Sequence, residues 1–332
     1  MPRVPDIQKI PVSLLEVRDL TVEFDTDDGI IRAVDGVSFH LQPGEVLGLV
    51  GESGCGKSVT AMSIPRLIPQ PPGRICKGEI LFSDEDLLQL PISRMRQIRG
   101  KEIGVIFQEP MTALSPLQRI ERQLAEVFHL HTELPAAEIR ARSLAWLEKV
   151  GISDPERCLR CYPYELSGGM RQRVMIAMAL LLQPKLVIAD EPTTALDVTI
   201  QAQILALLLD MRREDTGLLL ITHDMGVIWE MCDRVAVMYA SHIVETAPVK
   251  ELFEQPLHPY TQGLLASIPS LHHGKGPLPH IPGQVPSLLN PPKGCPFADR
   301  CPKAVDQCRQ AMPPLQSVNT ESHQAACWCT ET

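Results

Sequence analysis

One stretch of the chain has the residue types and the spacing of a loop that binds phosphate. Glycines let a backbone wrap around phosphate oxygens, a lysine neutralises the β- and γ-oxygens, and a following serine hydroxyl can bind Mg²⁺. The stretch follows an apolar run and opens a helical one, which is the context such a site requires, and its residues are Gly51, Glu52, Ser53, Gly54, Cys55, Gly56, Lys57, Ser58 and Val59. A glycine-rich turn before a helix is the structural alternative.

Polar groups suited to the same chemistry follow two other apolar runs. The run at 186–189 ends in Asp190 and Glu191, and the run at 218–222 ends in His223. Sheets of parallel strands bind ligands beyond the carboxyl ends of those strands, so these side chains are expected beside the phosphate loop. There Asp190 would hold Mg²⁺ through water, Glu191 would orient or polarise an attacking water, and His223 would contact the γ-phosphate. A lone histidine at a strand end is otherwise structural.

A helix N-terminus is the third candidate for binding an anion. A serine and two glycines precede the apolar stretch at 174–182, in the order Leu166, Ser167, Gly168, Gly169 and Met170. The exposed amides and the dipole of such an N-terminus can bind any phosphate, but the same residues also serve as a simple helix cap.

Alternating strands and helices are predicted to bring these groups together. Short apolar runs alternate with helical patterns, as at 45–51 followed by 58–68, which predicts an α/β fold with a mainly parallel core sheet. Further core strands are predicted at 185–190 and 218–222, antiparallel strands at 14–41, and a helical insertion at 115–164 with Gly151 as a C-cap. Frequent prolines from Pro256 onward predict a loop-rich C-terminal region.

Composition excludes several classes of protein. A length of 332 residues suits one large domain plus a smaller one, or two domains of moderate size. The net charge of −9, without a local basic patch, argues against binding to nucleic acid. The N-terminus lacks the pattern of a signal peptide, and the longest apolar run, at 174–182, is far shorter than the roughly 18 residues of a spanning helix. The chain is therefore expected to stay in the cytoplasm, with any membrane role peripheral.

The Leu-Ser-Gly-Gly string, placed between the phosphate loop and the Asp-Glu strand, resembles the signature of ABC ATPases, and the resemblance covers residues 14–247. It implies a P-loop nucleotide-binding domain with a RecA-like core, an antiparallel β-subdomain and a helical subdomain at about 112–172. It also implies ATP and Mg²⁺ as cofactors. A second ABC ATPase subunit is implied as partner in a head-to-tail dimer, where residues 167–169 of one subunit close over the γ-phosphate held by the other.

The same resemblance implies roles for other positions. Phe24 matches the aromatic residue that stacks on adenine, although a phenylalanine at a strand end also suits the core. Gln108 matches the Q-loop residue, and Asp197 matches the D-loop. The resemblance assigns Gln108 to catalysis together with Glu191 and His223. It also assigns Gln108 to Mg²⁺ binding together with Ser58. The chain departs from the family where Ser241 and His242 stand at a position usually held by glycine, which affects a local turn.

Longer strings at 170–179, 190–203 and 258–265, and in the tail at 281–286 and 294–302, resemble the dipeptide/oligopeptide import ATPases, a subgroup that includes nickel importers. The implied domains are an N-terminal extension at 1–13, the nucleotide-binding domain at 14–255 and a C-terminal oligopeptide-transporter domain at 256–332. The implied partners are a paralogous ATPase, two transmembrane permease subunits and, indirectly, an extracytoplasmic substrate-binding protein. Such a complex places the chain on the cytoplasmic face of a prokaryotic inner membrane.

Three other functions compete with peptide import. A nickel or other small-solute importer is the nearest, and the sequence does not contain the substrate choice. A soluble ABC protein of DNA repair or translation usually joins two cassettes in one chain, whereas this chain has one. An iron–sulfur regulatory protein with a vestigial ATP site conflicts with the intact Lys57, Gln108, Glu191 and His223.

The tail is rich in cysteine, at Cys295, Cys301, Cys308, Cys327 and Cys329. Thiol sets in a cytoplasmic protein favour metal over disulfide, and the residues alone leave a zinc ion, a [4Fe–4S] cluster and no metal all open. The family resemblance favours the cluster, with Cys295, Cys301, Cys308 and Cys327 as ligands and Cys329 as the spare. A cluster of this kind would mainly stabilise a small domain with little core, and redox sensing is the alternative.

Overall fold

The computed structural model of the protein describes residues 13–193, 198–211, 213–268, 279–318 and 320–330. The strands are β1 (Leu15–Thr26), β2 (Gly29–Leu41), β3 (Val46–Val50), β4 (Gly73–Phe82), β5 (Glu85–Asp86), β6 (Ile103–Ile106), β7 (Leu186–Asp190), β8 (Gly217–Thr222), β9 (Arg234–Tyr239), β10 (His242–Pro248), β11 (Gln316–Val318) and β12 (Thr320–Ala325). The helices are α1 (Lys57–Ser63), α2 (Ile92–Ile98), α3 (Pro110–Ala113), α4 (Ile120–His131), α5 (Ala136–Lys149), α6 (Pro155–Arg160), α7 (Gly168–Leu180), α8 (Val198–Met211), α9 (Met225–Met231), α10 (Val249–Glu254), α11 (Pro259–Ala266) and α12 (Asp306–Gln310).

The predicted parallel sheet lies at the centre of the fold. Strands β6, β7, β8, β3 and β9 are neighbours in that order and run parallel. All residues of β3, β7 and β8 are buried, and successive side chains join different cores: Val187 and Ala189 face one, Leu186 and Ile188 the other. Burial on both faces is why these strands are continuous apolar runs, and the core strands predicted from them are confirmed.

The antiparallel strands predicted at 14–41 are confirmed as the hairpin of β1 and β2, with Leu15 opposite Leu41 and Thr26 opposite Gly29. Strand β4 pairs with the other edge of β1, and β5 pairs with β4, which completes a sheet in the order β2-β1-β4-β5. Buried side chains of β1 belong to the same core as Leu47 and Leu49 of β3. The small sheet is therefore packed on the strand that leads into the phosphate loop.

Helices α4, α5 and α6 occupy the insertion predicted from the helical pattern. Phe128 of α4 and Ile139 and Leu147 of α5 are buried in one core together with α7. After α5, Gly151 has φ of 78° and its N–H donates to the carbonyl of Glu148 at 2.8 Å, so the predicted C-cap is confirmed. No helix of the described ranges is long and apolar enough to cross a membrane.

The tail of the chain extends the central sheet. Strand β10 pairs antiparallel with β9 on one side and with β12 on the other, where Glu245 lies opposite Ala325, and β11 pairs with β12. Sheet hydrogen bonds therefore run across the domain boundary predicted at 255/256, and that boundary stays a prediction.

The turn between β9 and β10 contains Ser241 and is followed by His242, and both residues depart from the pattern that the resemblance implies. Ala240 and Ser241 have φ of 42° and 73°, in the left-handed region that glycine adopts most easily. The Ser241 hydroxyl donates to the carbonyl oxygen of Arg32 at 2.8 Å. That hydrogen bond ties the turn to β2.

Candidate functional site

The phosphate loop joins β3 to α1 and depends on its glycines. Gly51 and Gly56 have φ of 154° and 105°, and a Cβ on Gly51 would come within 2.1 Å of the Met238 carbonyl oxygen. Positive φ combined with this close approach requires glycine. The Lys57 ammonium is buried and donates to the carbonyl oxygens of Gly51 at 2.8 Å and Glu52 at 3.0 Å. The loop is thus closed around its own lysine.

The other loop residues differ in exposure. Ser53 and Gly54 are exposed at the mouth of the loop, whereas Val59 is half-buried. A Cβ on Gly54 would meet nothing within 4 Å, but the φ of 78° at this position still favours glycine. Cys55 is buried, and burial raises the pKa of its thiol. Cys55 therefore fills space as a neutral side chain.

Ser58 and Asp190 meet at the carboxyl edge of the central sheet. The Ser58 hydroxyl, in the first turn of α1, donates to Oδ1 of Asp190, the last residue of β7, at 3.0 Å. Burial raises the pKa of Asp190, although the hydrogen bond from Ser58 opposes the effect. A hydroxyl and a carboxylate are oxygen ligands that suit Mg²⁺, and a nearby cation would favour the ionised carboxylate. The two residues assigned to Mg²⁺ from different parts of the sequence are thus in contact.

Glu191 lies between two other residues of the predicted catalytic set. The Gln108 amide donates to Oε2 of Glu191 at 3.1 Å, and Nδ1 of His223 lies 3.4 Å from Oε1. These residues follow β6, β7 and β8, which are neighbours in the sheet. His223 is largely exposed, with a side-chain exposure of 65% against 15% for Glu191. The structure thus brings all three predicted residues to one sheet edge, with His223 facing solvent.

The N-terminus of α7 is capped as the sequence predicts. The Ser167 hydroxyl accepts the N–H of Met170 at 3.3 Å, and α7 begins at Gly168. Ser167 and Gly168 are exposed, and a Cβ on Gly168 would meet nothing within 4 Å. The capping role is therefore real, but it leaves Gly168 without a packing requirement of its own.

Two positions implied by resemblance have different outcomes. Phe24 lies near the end of β1, half-buried against the core, and its Cε1 is 2.9 Å from where a Cβ on Gly73 would stand. One side of the ring is therefore packed while part of it stays accessible. Asp197, predicted for the D-loop, lies outside the described residues.

Two family models match separate segments of the chain. The ABC transporter family matches residues 34–194, and the oligopeptide/dipeptide transporter C-terminal region matches residues 244–308. A probable peptide ABC transporter ATP-binding protein of Sinorhizobium fredii is 53% identical over 317 residues, covering 95% of this chain and 94% of that protein. The chain belongs to the ABC transporter ATP-binding proteins. The oligopeptide transport ATP-binding protein OppD of Bacillus subtilis is 52% identical to this ABC ATPase, over 95% of it and 88% of OppD.

Solved structures support the same conclusion about the fold. A dimeric ATP-binding cassette in a post-hydrolysis state, bound to ADP and Pi, aligns with this ABC ATPase at a TM-score of 0.64 and 26% identity. The alignment covers 71% of this chain and 98% of that one. The predicted ABC-type α/β fold and ATPase activity are confirmed.

The tail cysteines of this ABC ATPase lie near one another. The Cys295 N–H donates to the Cys308 carbonyl at 2.7 Å, and the Cys329 N–H donates to Sγ of Cys327 at 3.3 Å. Burial raises the pKa of Cys295 to about 11, with smaller contributions from the neighbouring thiols. Within the described ranges, however, no group of three or more Cys, His, Asp or Glu side chains is arranged to hold a metal ion. The predicted [4Fe–4S] cluster and the zinc alternative therefore gain no support from this arrangement.

Two residues of this ABC ATPase that touch the phosphate loop were not predicted from the sequence. The Tyr260 hydroxyl accepts the N–H of Glu52, and the Arg300 guanidinium contacts the Glu52 carboxylate. Both belong to strings that the resemblance singled out, at 258–265 and 294–302, but only as marks of a subgroup. Nothing in their spacing from Gly51 signals the contact, since it depends on how the tail folds back.

Proposed function

We propose that the chain is the ATP-hydrolysing subunit of an importer that couples ATP hydrolysis to uptake of dipeptides or oligopeptides. The observation that carries the proposal is the match of residues 244–308 to the oligopeptide/dipeptide transporter C-terminal region, a segment separate from the cassette match at 34–194. Relatives named for peptide and oligopeptide transport share about half of its residues over nearly its whole length. The substrate class therefore rests on the tail and on the relatives, and the ATPase activity on the cassette.

In the proposed ATP site, Lys57 and the amides of residues 51–59 hold the phosphates, and Phe24 stacks on adenine. Ser58, Gln108 and Asp190 hold Mg²⁺, the last through water. Contacts between Ser58 and Asp190 and between Gln108 and Glu191 support this placement. Glu191 positions the attacking water, and His223 contacts the γ-phosphate.

The ATP site is proposed to be completed by a second subunit. The exposed N-terminus of α7, with Ser167, Gly168 and Gly169, would close over the nucleotide held by the partner ATPase, with Asp197 nearby. That partner is a paralogous chain. Two transmembrane permease subunits and an extracytoplasmic substrate-binding protein complete the importer, and the ATPases attach to the permeases at the cytoplasmic face of the membrane.

Uptake measurements test the substrate class. Cells lacking the chain are complemented with the wild type or with Lys57→Ala, and uptake of labelled dipeptides, longer peptides and nickel ions is followed. The wild type is expected to restore peptide uptake, Lys57→Ala to fail, and nickel uptake to be the same in all strains. Restoration of nickel uptake alone would replace peptide import by the nickel alternative.

A finer proposal concerns the tail, where Cys295, Cys301, Cys308 and Cys327 are the proposed ligands of a [4Fe–4S] cluster. The proposal rests on the thiol donor type, since the described arrangement is not a preformed metal site. Anaerobic purification followed by iron, zinc and acid-labile sulfide analysis is the test. Iron and sulfide should be present in the wild type and lost in Cys301→Ser, with Cys76→Ser, at an exposed cysteine outside the tail, as the matched control. An iron-free wild type that folds and transports sinks the proposal.

A further inference from the structure

Glu52, the second residue of the phosphate loop, is held on three sides. Its carbonyl oxygen accepts from Lys57 within the loop at 3.0 Å. Its N–H donates to the Tyr260 hydroxyl at 2.9 Å, and its Oε2 accepts from Nη1 of Arg300 at 2.9 Å. Two of the three partners therefore come from the C-terminal region, 208 and 248 residues further along the chain.

The Arg300 side chain is held by several acceptors in addition to Glu52. Its side chain is only 7% exposed. Nε donates to the carbonyl oxygen of Pro282 at 2.9 Å and Nη2 to that of Ile281 at 3.3 Å. Nη1 also donates to the Tyr239 hydroxyl at 3.2 Å. A guanidinium held by this many acceptors has one orientation, and that orientation points Nη1 at the phosphate loop.

Aromatic packing supports the same contact. The rings of Tyr239 and Tyr260 lie 4.6 Å apart, and Phe297 packs against both at 5.2 and 5.5 Å. The Arg300 guanidinium lies 5.7 Å from the centre of the Tyr239 ring and 5.8 Å from that of Phe297. Side chains of β9 and of the tail thus pack together beside the phosphate loop. Arg300 directly precedes Cys301 in the tail.

We propose that Arg300 is a positioning residue for the ATP site: it neutralises Glu52 and fixes it, so that the phosphate loop is ordered and free of an unpaired carboxylate when ATP arrives. The inference rests on the proposed assignment of residues 51–59 to the phosphates. An unpaired Glu52 carboxylate beside the triphosphate would repel it, and a glycine-rich loop without this anchor would have to be ordered by the nucleotide itself. The C-terminal region therefore contributes to nucleotide affinity, in addition to carrying the strings that resemble the dipeptide/oligopeptide import ATPases.

A rescue experiment distinguishes this role from a purely structural one. The dissociation constant of a fluorescent ATP analogue with Mg²⁺ is measured on the full chain for the wild type, Arg300→Gln, Glu52→Gln and the double variant. Arg300→Gln should weaken binding about tenfold, as expected for loss of a charge-assisted hydrogen bond that leaves a carboxylate unpaired. Adding Glu52→Gln should recover most of that loss, because the unpaired carboxylate is then gone.

Arg309→Gln is the matched control, since Arg309 pairs with Asp299 on the surface of the same region, with side chains 59% and 81% exposed. It should leave the dissociation constant unchanged. Weak binding by Arg300→Gln that Glu52→Gln does not recover overturns the proposal and leaves Arg300 as a structural residue.

A separate variant tests the assignment of the ATP site itself. Lys57→Ala should abolish analogue binding, and if it does not, residues 51–59 are not the phosphate site. Should Arg300→Gln not fold, the double variant is compared with Glu52→Gln alone. Equal affinities support the proposal, because Arg300 then acts only through Glu52, and a weaker double variant overturns it.

Discussion

The side-chain amide of Gln108 donates to the carboxylate of Glu191 at 3.1 Å, joining the segment after β6 to the residue after β7. His223 approaches the other oxygen of the same carboxylate at 3.4 Å. Because the three strands that carry these residues are parallel neighbours, their ends place an amide, a carboxylate and an imidazole around one point. That point lies at the same sheet edge as Ser58 and Asp190.

Glu191→Gln should reduce steady-state ATP hydrolysis by about a hundredfold or more, the usual contribution of a positioned base, while ATP binding persists. The ATP-bound dimer should accumulate and be visible by size-exclusion chromatography. Glu230→Gln, at an exposed glutamate of α9, is the control and should hydrolyse ATP like the wild type. Unchanged hydrolysis in Glu191→Gln would remove Glu191 from its proposed role.

Gly168→Ala should separate the stability of the chain from its dimerisation. A Cβ at this position meets nothing within 4 Å, and alanine favours a first helical turn, so the free energy of unfolding should change by less than about 1 kcal/mol. Hydrolysis and ATP-driven dimerisation should nevertheless fall about tenfold or more if a partner's nucleotide must approach this N-terminus.

Gly104→Ala is the contrasting variant, because it is expected to change the stability that Gly168→Ala leaves nearly unchanged. A Cβ there would lie 2.5 Å from the Ala179 carbonyl oxygen, so this variant should lose stability in urea unfolding. Full activity in Gly168→Ala would show that the N-terminus of α7 is only a helix cap.

Glu245→Ala should be among the most destabilising single substitutions. Glu245 is fully buried, and its carboxylate accepts from the N–H groups of Leu257 and His258 and lies 2.8 Å from Nε2 of His323. Removing a buried acceptor shared by β10, the start of the tail and β12 should cost about 3 kcal/mol or more. Urea unfolding measures the loss. Glu254→Ala, at an exposed position of α10, should change stability little, and equal losses for the two variants would contradict this account.

His258 should make stability depend on pH. Burial lowers the pKa of His258 to about 4, although the nearby Glu245 opposes the effect, and its Nδ1 accepts the N–H of Tyr260, which requires an unprotonated nitrogen. Because the folded pKa lies below the usual 6.5, the unfolded chain binds the proton first as pH falls. The contribution, about 3 kcal/mol, is present above pH 6.5 and is lost progressively between pH 6.5 and 4.

Stability curves of the wild type and His258→Asn check this expectation. Asparagine keeps an acceptor for the Tyr260 N–H but does not titrate, so the slope between pH 4 and 6.5 should be shallower in the variant. His129→Asn, at an exposed histidine of α4, should keep the wild-type slope. Parallel curves for the wild type and His258→Asn would show that His258 does not govern the pH dependence.

Much of the fold and the site was predictable because the relevant patterns are local. Strands buried on both faces are continuous apolar runs, so β3, β7 and β8 could be found, and each carries its functional residue at its carboxyl end. The tail was less predictable. Its strands β11 and β12 are short and largely polar, so their pairing with β10 has no periodic signal.

The sequence by itself predicted a phosphate-binding loop, because the spacing of Gly51, Lys57 and Ser58 is set by neighbouring residues along the chain, and the resemblance of its motifs to ABC ATPases implied ATP as the ligand. Only the tertiary structure decided how that loop is held. Glu52 meets Tyr260 and Arg300 across 208 and 248 residues, since the tail packs against β9, where Tyr260 and Phe297 contact Tyr239. A contact of this kind depends on the packing of whole elements, and residue spacing carries no record of it.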